Sequence, residues 1–327
     1  MVSPLRPALH GVLSRAQLAL VAALLALAWL SPLPLYLVAL ALFGLPHVIW
    51  ELGYLRSRYG ARWPRRWWML LGAGLMLEGA TRAAYWLGWL KPLAAQIGDL
   101  LVLALLGLAV VAAPRGAGGR TRLAGGAFAI AVYALLQQGE ILLSLLLLSI
   151  AHNFTPVVLA WDQARGDARA RPLAWTVTGL FLLPLVLVLL GASAIAPSGD
   201  WLPAQVPDLW AAQQPLLDGQ LPQGWSTPSR AALLSALVLS QCLHYFCVIR
   251  LLPQAQAHLS GQEVLSAKGR AACAAAVVVL LGYYLVDLQG ARKLYAVASG
   301  MHAWLEWPLL LMAWTAPAAM HREAQAE

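Results

Sequence analysis

Residues 33–55 read LPLYLVALALFGLPHVIWELGYL, and residues 56–66 immediately after them read RSRYGARWPRR. The first stretch carries one acid, Glu51, and one histidine, His47, in a run that is otherwise almost wholly apolar. Coiled as a helix it crosses the hydrocarbon core of a bilayer, which takes about 20 residues for about 30 Å. The second stretch holds Arg56, Arg58, Arg62, Arg65 and Arg66. An apolar run closed by a short arginine cluster is the pattern of a membrane span entering a cytoplasmic loop.

The same alternation runs outward through the rest of the chain. Of the 327 residues, 61% are hydrophobic and 11% charged, against roughly 25% charged in soluble domains. So little polar surface cannot cover the protein in water, and lipid is the expected solvent. Apolar blocks predict spans near 16–30, 33–55, 67–89, 92–113, 123–137, 139–161, 173–195, 230–251, 271–288 and 293–315. The expected fold is therefore all-α: a polytopic membrane bundle of about ten transmembrane helices, forming one domain over 1–327.

Basic residues fall at Arg6 and Arg15, then within 56–66, 115–122, 165–171 and 250–270, and at Arg322. With ten spans all of these clusters lie on one side, which makes both termini cytoplasmic. Lys91 and the pair Arg292–Lys293 fall on the other side. The Pro- and Trp-rich loop 196–229, with Asp200, Asp208 and Asp218, is expected outside the cytoplasm. The net charge of +8 is thus loop charge on a protein of the bacterial inner (plasma) membrane type, and no nucleic-acid partner is implied. Cys242, Cys247 and Cys273 lie in or beside apolar blocks and outline neither a disulfide framework nor a zinc ribbon.

Four of the seven histidines sit inside predicted spans: His47, His152, His244 and His302. All four spans run from the outside inward. His47 follows Leu33 by 14 residues, His152 follows Gly139 by 13, and His244 follows Arg230 by 14. His302 follows Lys293 by 9, about 7 Å shallower at 1.5 Å per residue. One such histidine would be read as a hydrogen-bonding link between helices. Four at similar depth, in a medium that penalises polar groups, predict a shared metal site, since imidazole is the commonest protein metal ligand.

Their neighbours extend the pattern. Glu51 stands four residues after His47, and Glu306 four after His302, which places each pair on one helix face. Either glutamate can be a ligand or can orient an imidazole. Pro46, Pro156 and Pro308 lie close by, and a proline frees a carbonyl and bends its helix. Trp50, Trp304 and Trp307 are candidates for an apolar substrate lining. Glu78 and Arg82, also four apart, are expected to pair with each other, and Asp99 to lie near a span end.

The HExxH metalloprotease pattern, the phosphate-binding P-loop and the G-x-S-x-G elbow are missing from the sequence. At Gly44-Leu45-Pro46-His47, with Glu51 four residues on, the chain resembles the Brp/Blh family of membrane β-carotene 15,15'-dioxygenases. His152, His244 and His302 are similar in order and setting to that family's later single histidines. Glu51 stands where the family carries aspartate, and Val248 where it carries a second histidine four after the first. The resemblance implies a non-haem iron (Fe2+) centre that uses O2 to split a carotenoid into retinal.

The leading expectation is a metal-dependent membrane oxygenase acting on a lipid or isoprenoid reached from the bilayer. His47, His152, His244 and His302 would hold the metal, with Glu51 and Glu306 as catalytic or orienting acids. Two alternatives stay open. Axial histidines on membrane helices also hold haem b in electron-transfer proteins, and intramembrane histidines serve as proton relays in transporters.

Overall fold

The computed structural model describes residues 12–60, 64–112, 118–137, 148–189, 227–261 and 263–315. Among them are eleven α-helices: α1 (Arg15–Leu30), α2 (Pro32–Tyr59), α3 (Arg65–Trp86), α4 (Pro92–Val111), α5 (Gly118–Gln137), α6 (Thr155–Gly166), α7 (Arg171–Leu189), α8 (Thr227–Phe246), α9 (Leu252–Ser260), α10 (Ala267–Val286) and α11 (Leu288–Thr315). Residues 148–153 are also helical. A 3₁₀ turn (Ala168–Ala170) precedes α7, and a π-helical segment (Cys247–Leu251) joins α8 to α9. The expected all-α class is found. The loop 196–229 apart from its last three residues, the start of the sixth predicted span with Glu140, and Arg6, Arg115 and Arg322 lie outside the described residues.

Five helical segments are long and apolar enough to cross a membrane: Pro34–Tyr59, Pro92–Val111, Ala168–Leu189, Ala232–Ser260 and Ala267–Val286. Helix occupies at least part of each of the ten stretches expected to span, but the others fall short of that measure for visible reasons. At 16 residues, α1 is short. Charges break the apolar run in the remaining long helices: Glu78 and Arg82 in α3, Arg120 and Arg122 in α5, Arg292, Lys293 and Glu306 in α11.

Helix ends follow local chemistry. Ser14 caps α1, its hydroxyl accepting from Gln17 N at 3.2 Å while Gln17 Oε1 accepts from Ser14 N at 2.8 Å, a reciprocal capping box. Between α3 and α4, Gly88 takes φ 78°, the left-handed conformation that glycine adopts without a Cβ clash. Pro92 then opens α4, where its missing N–H costs nothing. Asp287 separates α10 from α11 and accepts from Gly290 N at 2.8 Å.

Contacts divide the chain into two compact units. The first comprises residues up to Leu37 together with Pro156–Glu263. In it α8 packs on α7 and on α1. Trp161 Nε1 donates to Thr178 Oγ1 at 3.1 Å, linking α6 to α7. In the connection before α7, the Arg169 guanidinium donates to Asp167 at 2.9 and 3.0 Å. Those bonds hold the Asp167 carboxyl below the usual carboxylate range.

The second unit comprises Val38–Thr155 and residues from Val264 onward. Here α4 packs on α3 and α5, and α11 packs on α3, α4, α5 and α10. Small residues let α4 and α5 approach closely. A Cβ added at Gly125 would stand 2.7 Å from the Val110 side chain and 2.8 Å from the Gly107 carbonyl oxygen. Gly125→Val is therefore expected to cost about 1–3 kcal/mol by overpacking, read as a lowered midpoint of thermal unfolding in detergent. Trp67 Nε1 donates to Ala109 O at 3.0 Å and ties α3 to α4. Thr315 donates to Thr121 at 2.9 Å and ties α11 to α5.

Polarity in this unit is inverted relative to a water-soluble fold. Ile130 is 71% exposed, Val278 70% and Leu285 81%, whereas Glu51, Glu78 and Glu306 are fully buried. Apolar side chains outside and carboxyls inside are what hydrocarbon solvent selects.

Candidate metal centre

Three pieces of the second unit build the site. The first is α2, whose interior proline, Pro46, removes one helical hydrogen bond just before His47. The second is the helical turn at 148–153, which ends at Phe154 before Thr155 opens α6. Pro156 accounts for that break, because it has no N–H to bond the carbonyl four residues earlier and fits best in the first turn of the helix that follows. The third is α11, in which Pro308 follows Glu306 by two residues.

These pieces converge. His47 Nε2 lies 3.1 Å from His302 Nε2, and His302 Nε2 lies 3.4 Å from Glu51 Oε2. The His152 and His302 rings meet edge to face at 4.9 Å, and the His47 and His302 rings at 4.8 Å. One ligand atom from each of His47, Glu51, His152 and His302 lies within 4.8 Å of the others. All four residues are buried.

The remaining ring nitrogens decide which atoms face the centre. His47 Nδ1 sits 3.2 Å from the Phe43 carbonyl. A carbonyl only accepts, so Nδ1 carries the proton and Nε2 keeps its lone pair. His152 Nδ1 sits 2.6 Å from Glu306 Oε2, so it donates there and Nε2 carries the lone pair. Glu306 is thus the acid that orients an imidazole, the carboxylate–histidine arrangement common behind metal ligands. The sequence left the division of labour between the two glutamates open; the geometry puts Glu51 among the donors and Glu306 behind His152.

Nitrogen and oxygen lone pairs that face one another in an apolar interior repel unless a proton or a metal cation lies among them. The donor set passes a metric test as well. Metal–nitrogen bonds of about 2.1 Å give ligand–ligand edges of about 3.0 Å at right angles and about 3.4 Å at tetrahedral angles. The observed 3.1 and 3.4 Å edges fall in that range. Three imidazoles with one carboxylate suit a borderline metal such as iron, zinc or copper.

His302 had looked shallower than the other histidines. It follows Leu288, where α11 begins, by 14 residues, and so reaches the depth of His47. The discrepancy arose because Arg292 and Lys293 looked like a span boundary, while the helix runs through them. His244 belongs to the first unit, fully buried on α8, with its ring perpendicular to that of Tyr245 at 6.1 Å. The π-helical segment begins three residues later. Cys242 and Cys247 are free, buried thiols.

Two tryptophans named as substrate lining have other partners. Trp304 Nε1 donates to the Asp99 carbonyl at 3.0 Å, and Trp307 stacks on Phe128 at 5.3 Å. The apolar space lies elsewhere. A cavity of about 360 Å³ is lined by Leu52, Leu55, Arg56, Gly60, Trp68 and Leu305. Leu52 and Leu305 are chain neighbours of Glu51 and Glu306. That signal was present in the sequence, since Leu52, Leu55 and Arg56 continue α2 beyond Glu51, but no periodicity marks which leucines leave a void.

Tyr295 was not anticipated. Its ring packs where a Cβ on Gly44 would approach to 3.0 Å, and it flanks His47 at 6.3 Å between ring centres. The glycine of the Gly44-Leu45-Pro46-His47 segment is therefore a seat for an aromatic ring. No protein-family model, no curated protein and no solved structure matches this chain.

Proposed function

We propose that the protein is a membrane-embedded, metal-dependent oxygenase with non-haem iron, acting on a hydrophobic lipid or isoprenoid substrate. The observation that carries the reading is the convergence of His47, His302 and Glu51, with edges of 3.1 and 3.4 Å, beside His152. A histidine–carboxylate donor set that leaves coordination positions open is the arrangement used by non-haem Fe2+ oxygenases. Bound iron would supply O2 activation. Zinc would serve the same ligands, but it is not redox-active.

The chain's own residues do the remaining work in this reading. Phe43 and Glu306 fix the tautomers and orientations of His47 and His152. Glu51 brings negative charge to the metal ligands and lowers the net charge of a divalent centre. Leu52, Leu55, Trp68 and Leu305 offer an apolar berth of about 360 Å³, in the range of small-molecule pockets, with Arg56 among its lining. A substrate drawn from the bilayer matches that lining. Membership of His244 in the ligand set rests on its depth in the sequence and is tested by metal content in His244→Ala.

The resemblance carried by Gly44-Leu45-Pro46-His47 and Glu51 suggests carotenoid cleavage. Splitting one carbon–carbon double bond with O2 places one oxygen atom on each carbonyl product and needs no outside reductant. On this reading the protein sits in a bacterial inner membrane with about ten spans and cytoplasmic termini. Expression in carotenoid-producing cells is expected to yield retinal, detected by chromatography, and His47→Ala to yield none. Full iron loading without a cleaved product would remove the carotenoid and leave the metalloprotein.

The haem-b alternative is disfavoured by geometry. Axial histidines bind opposite faces of a planar macrocycle, with nitrogens about 4 Å apart, whereas His47 and His302 face each other at 3.1 Å. A Soret band in the purified protein would reverse that ranking.

A further inference from the structure

A second buried polar cluster lies in the same unit and has no part in the metal site. Arg82 on α3 pairs with Glu78 one turn back. It also reaches Asp99 on α4, with Nη2 at 3.1 Å from Oδ2. Its guanidinium lies 5.6 Å from the Trp304 ring centre, and it packs on Gly300 of α11, where any Cβ would collide with it. Trp304 closes the arrangement by donating to the Asp99 carbonyl. Three helices therefore meet on one arginine.

The charge count does not balance. Two carboxyls share one guanidinium, and Glu78 and Asp99 are both buried. Glu78 Oε2 and Asp99 Oδ1, the oxygens that Arg82 does not take, have no hydrogen-bond partner among the described residues. Held by one guanidinium, the two carboxyls would satisfy those oxygens by hydrogen-bonding each other. Two carboxylates cannot do so, because each only accepts. A carboxylic acid and a carboxylate can, and the added proton brings the cluster to neutrality. Titratable groups of α11 have partners away from the cluster, Glu306 among them at His152. Lys293 of α11 sits over Trp86 at 5.7 Å, and His302 faces His47.

We propose that Glu78 and Asp99 form a proton-binding carboxyl pair within the bundle, holding one shared proton while Arg82 balances the remaining negative charge. The site takes up one proton and releases one, and no covalent bond to carbon changes. Loss of the proton would leave one uncompensated charge against the stretch of α11 that begins at Gly300, two residues before His302.

The test is infrared spectroscopy of the full-length protein in lipid nanodiscs, in H2O and D2O, on the band of protonated carboxyls. Charge balance predicts a distinct outcome for each variant. Wild type shows one acid equivalent that both Glu78→Gln and Asp99→Asn lose, because each variant leaves one carboxylate for one guanidinium. Arg82→Met gains one equivalent. The two acid variants suffice if Arg82→Met does not fold. An unchanged band in both Glu78→Gln and Asp99→Asn, with folding verified by helix content, would overturn the proposal, including the case of a metal cation bridging the two oxygens.

Discussion

His302→Ala is expected to reduce any metal held by the detergent-purified protein to background, measured by elemental analysis. His302 has the largest expected effect because its Nε2 meets both His47 at 3.1 Å and Glu51 at 3.4 Å. Its removal opens the ligand set at the centre rather than at one edge. Glu306→Gln is expected to be milder, weakening metal binding about 10–100-fold as loss of an orienting partner does, because His152 loses its anionic acceptor but keeps Nε2. Equal, complete loss in both variants would place Glu306 among the ligands. Full occupancy in His302→Ala would leave the histidines as proton relays or links between helices.

Arg82→Ala is expected to destabilise the second unit by about 3–5 kcal/mol, the usual cost of removing one partner from a buried ion pair. Thermal unfolding in detergent, followed by helical circular dichroism, measures it. Three contacts go at once: the pairs with Glu78 and Asp99 and the packing on Trp304 and Gly300. Glu78→Gln/Asp99→Asn together with Arg82→Met should recover most of the loss, since that triple replacement leaves no carboxyl that must take up a proton to stay buried. A shift in Arg82→Ala no larger than that of an exposed surface pair, under about 1 kcal/mol, would show that the cluster is solvated in the bilayer.

The two sites differ in how far they could be read beforehand. His47–Glu51 and His302–Glu306 are visible as same-face pairs because a helix repeats every 3.6 residues, and span depth follows from counting residues between polar ends. The role of Glu306 was not visible: spacing alone treats it as the twin of Glu51, and only the position of His152 separates them. Spacing identifies Arg82 as the local partner of Glu78, and the two do pair. Its second partner, Asp99, lies across a helix–helix interface that i,i+4 spacing cannot reveal.

The sequence by itself determined the solvent and the secondary structure. Apolar blocks too long and too sparsely charged for water require helices whose backbone groups are satisfied internally. It also singled out the few polar side chains whose burial needs a reason. Tertiary structure alone decided how those helices are rotated about their axes, and with that which nitrogen meets which oxygen. Rotation is set by small contacts, such as Gly44 beneath Tyr295 and Gly300 beneath Arg82. A missing Cβ has that effect only when another helix is there to fill its place.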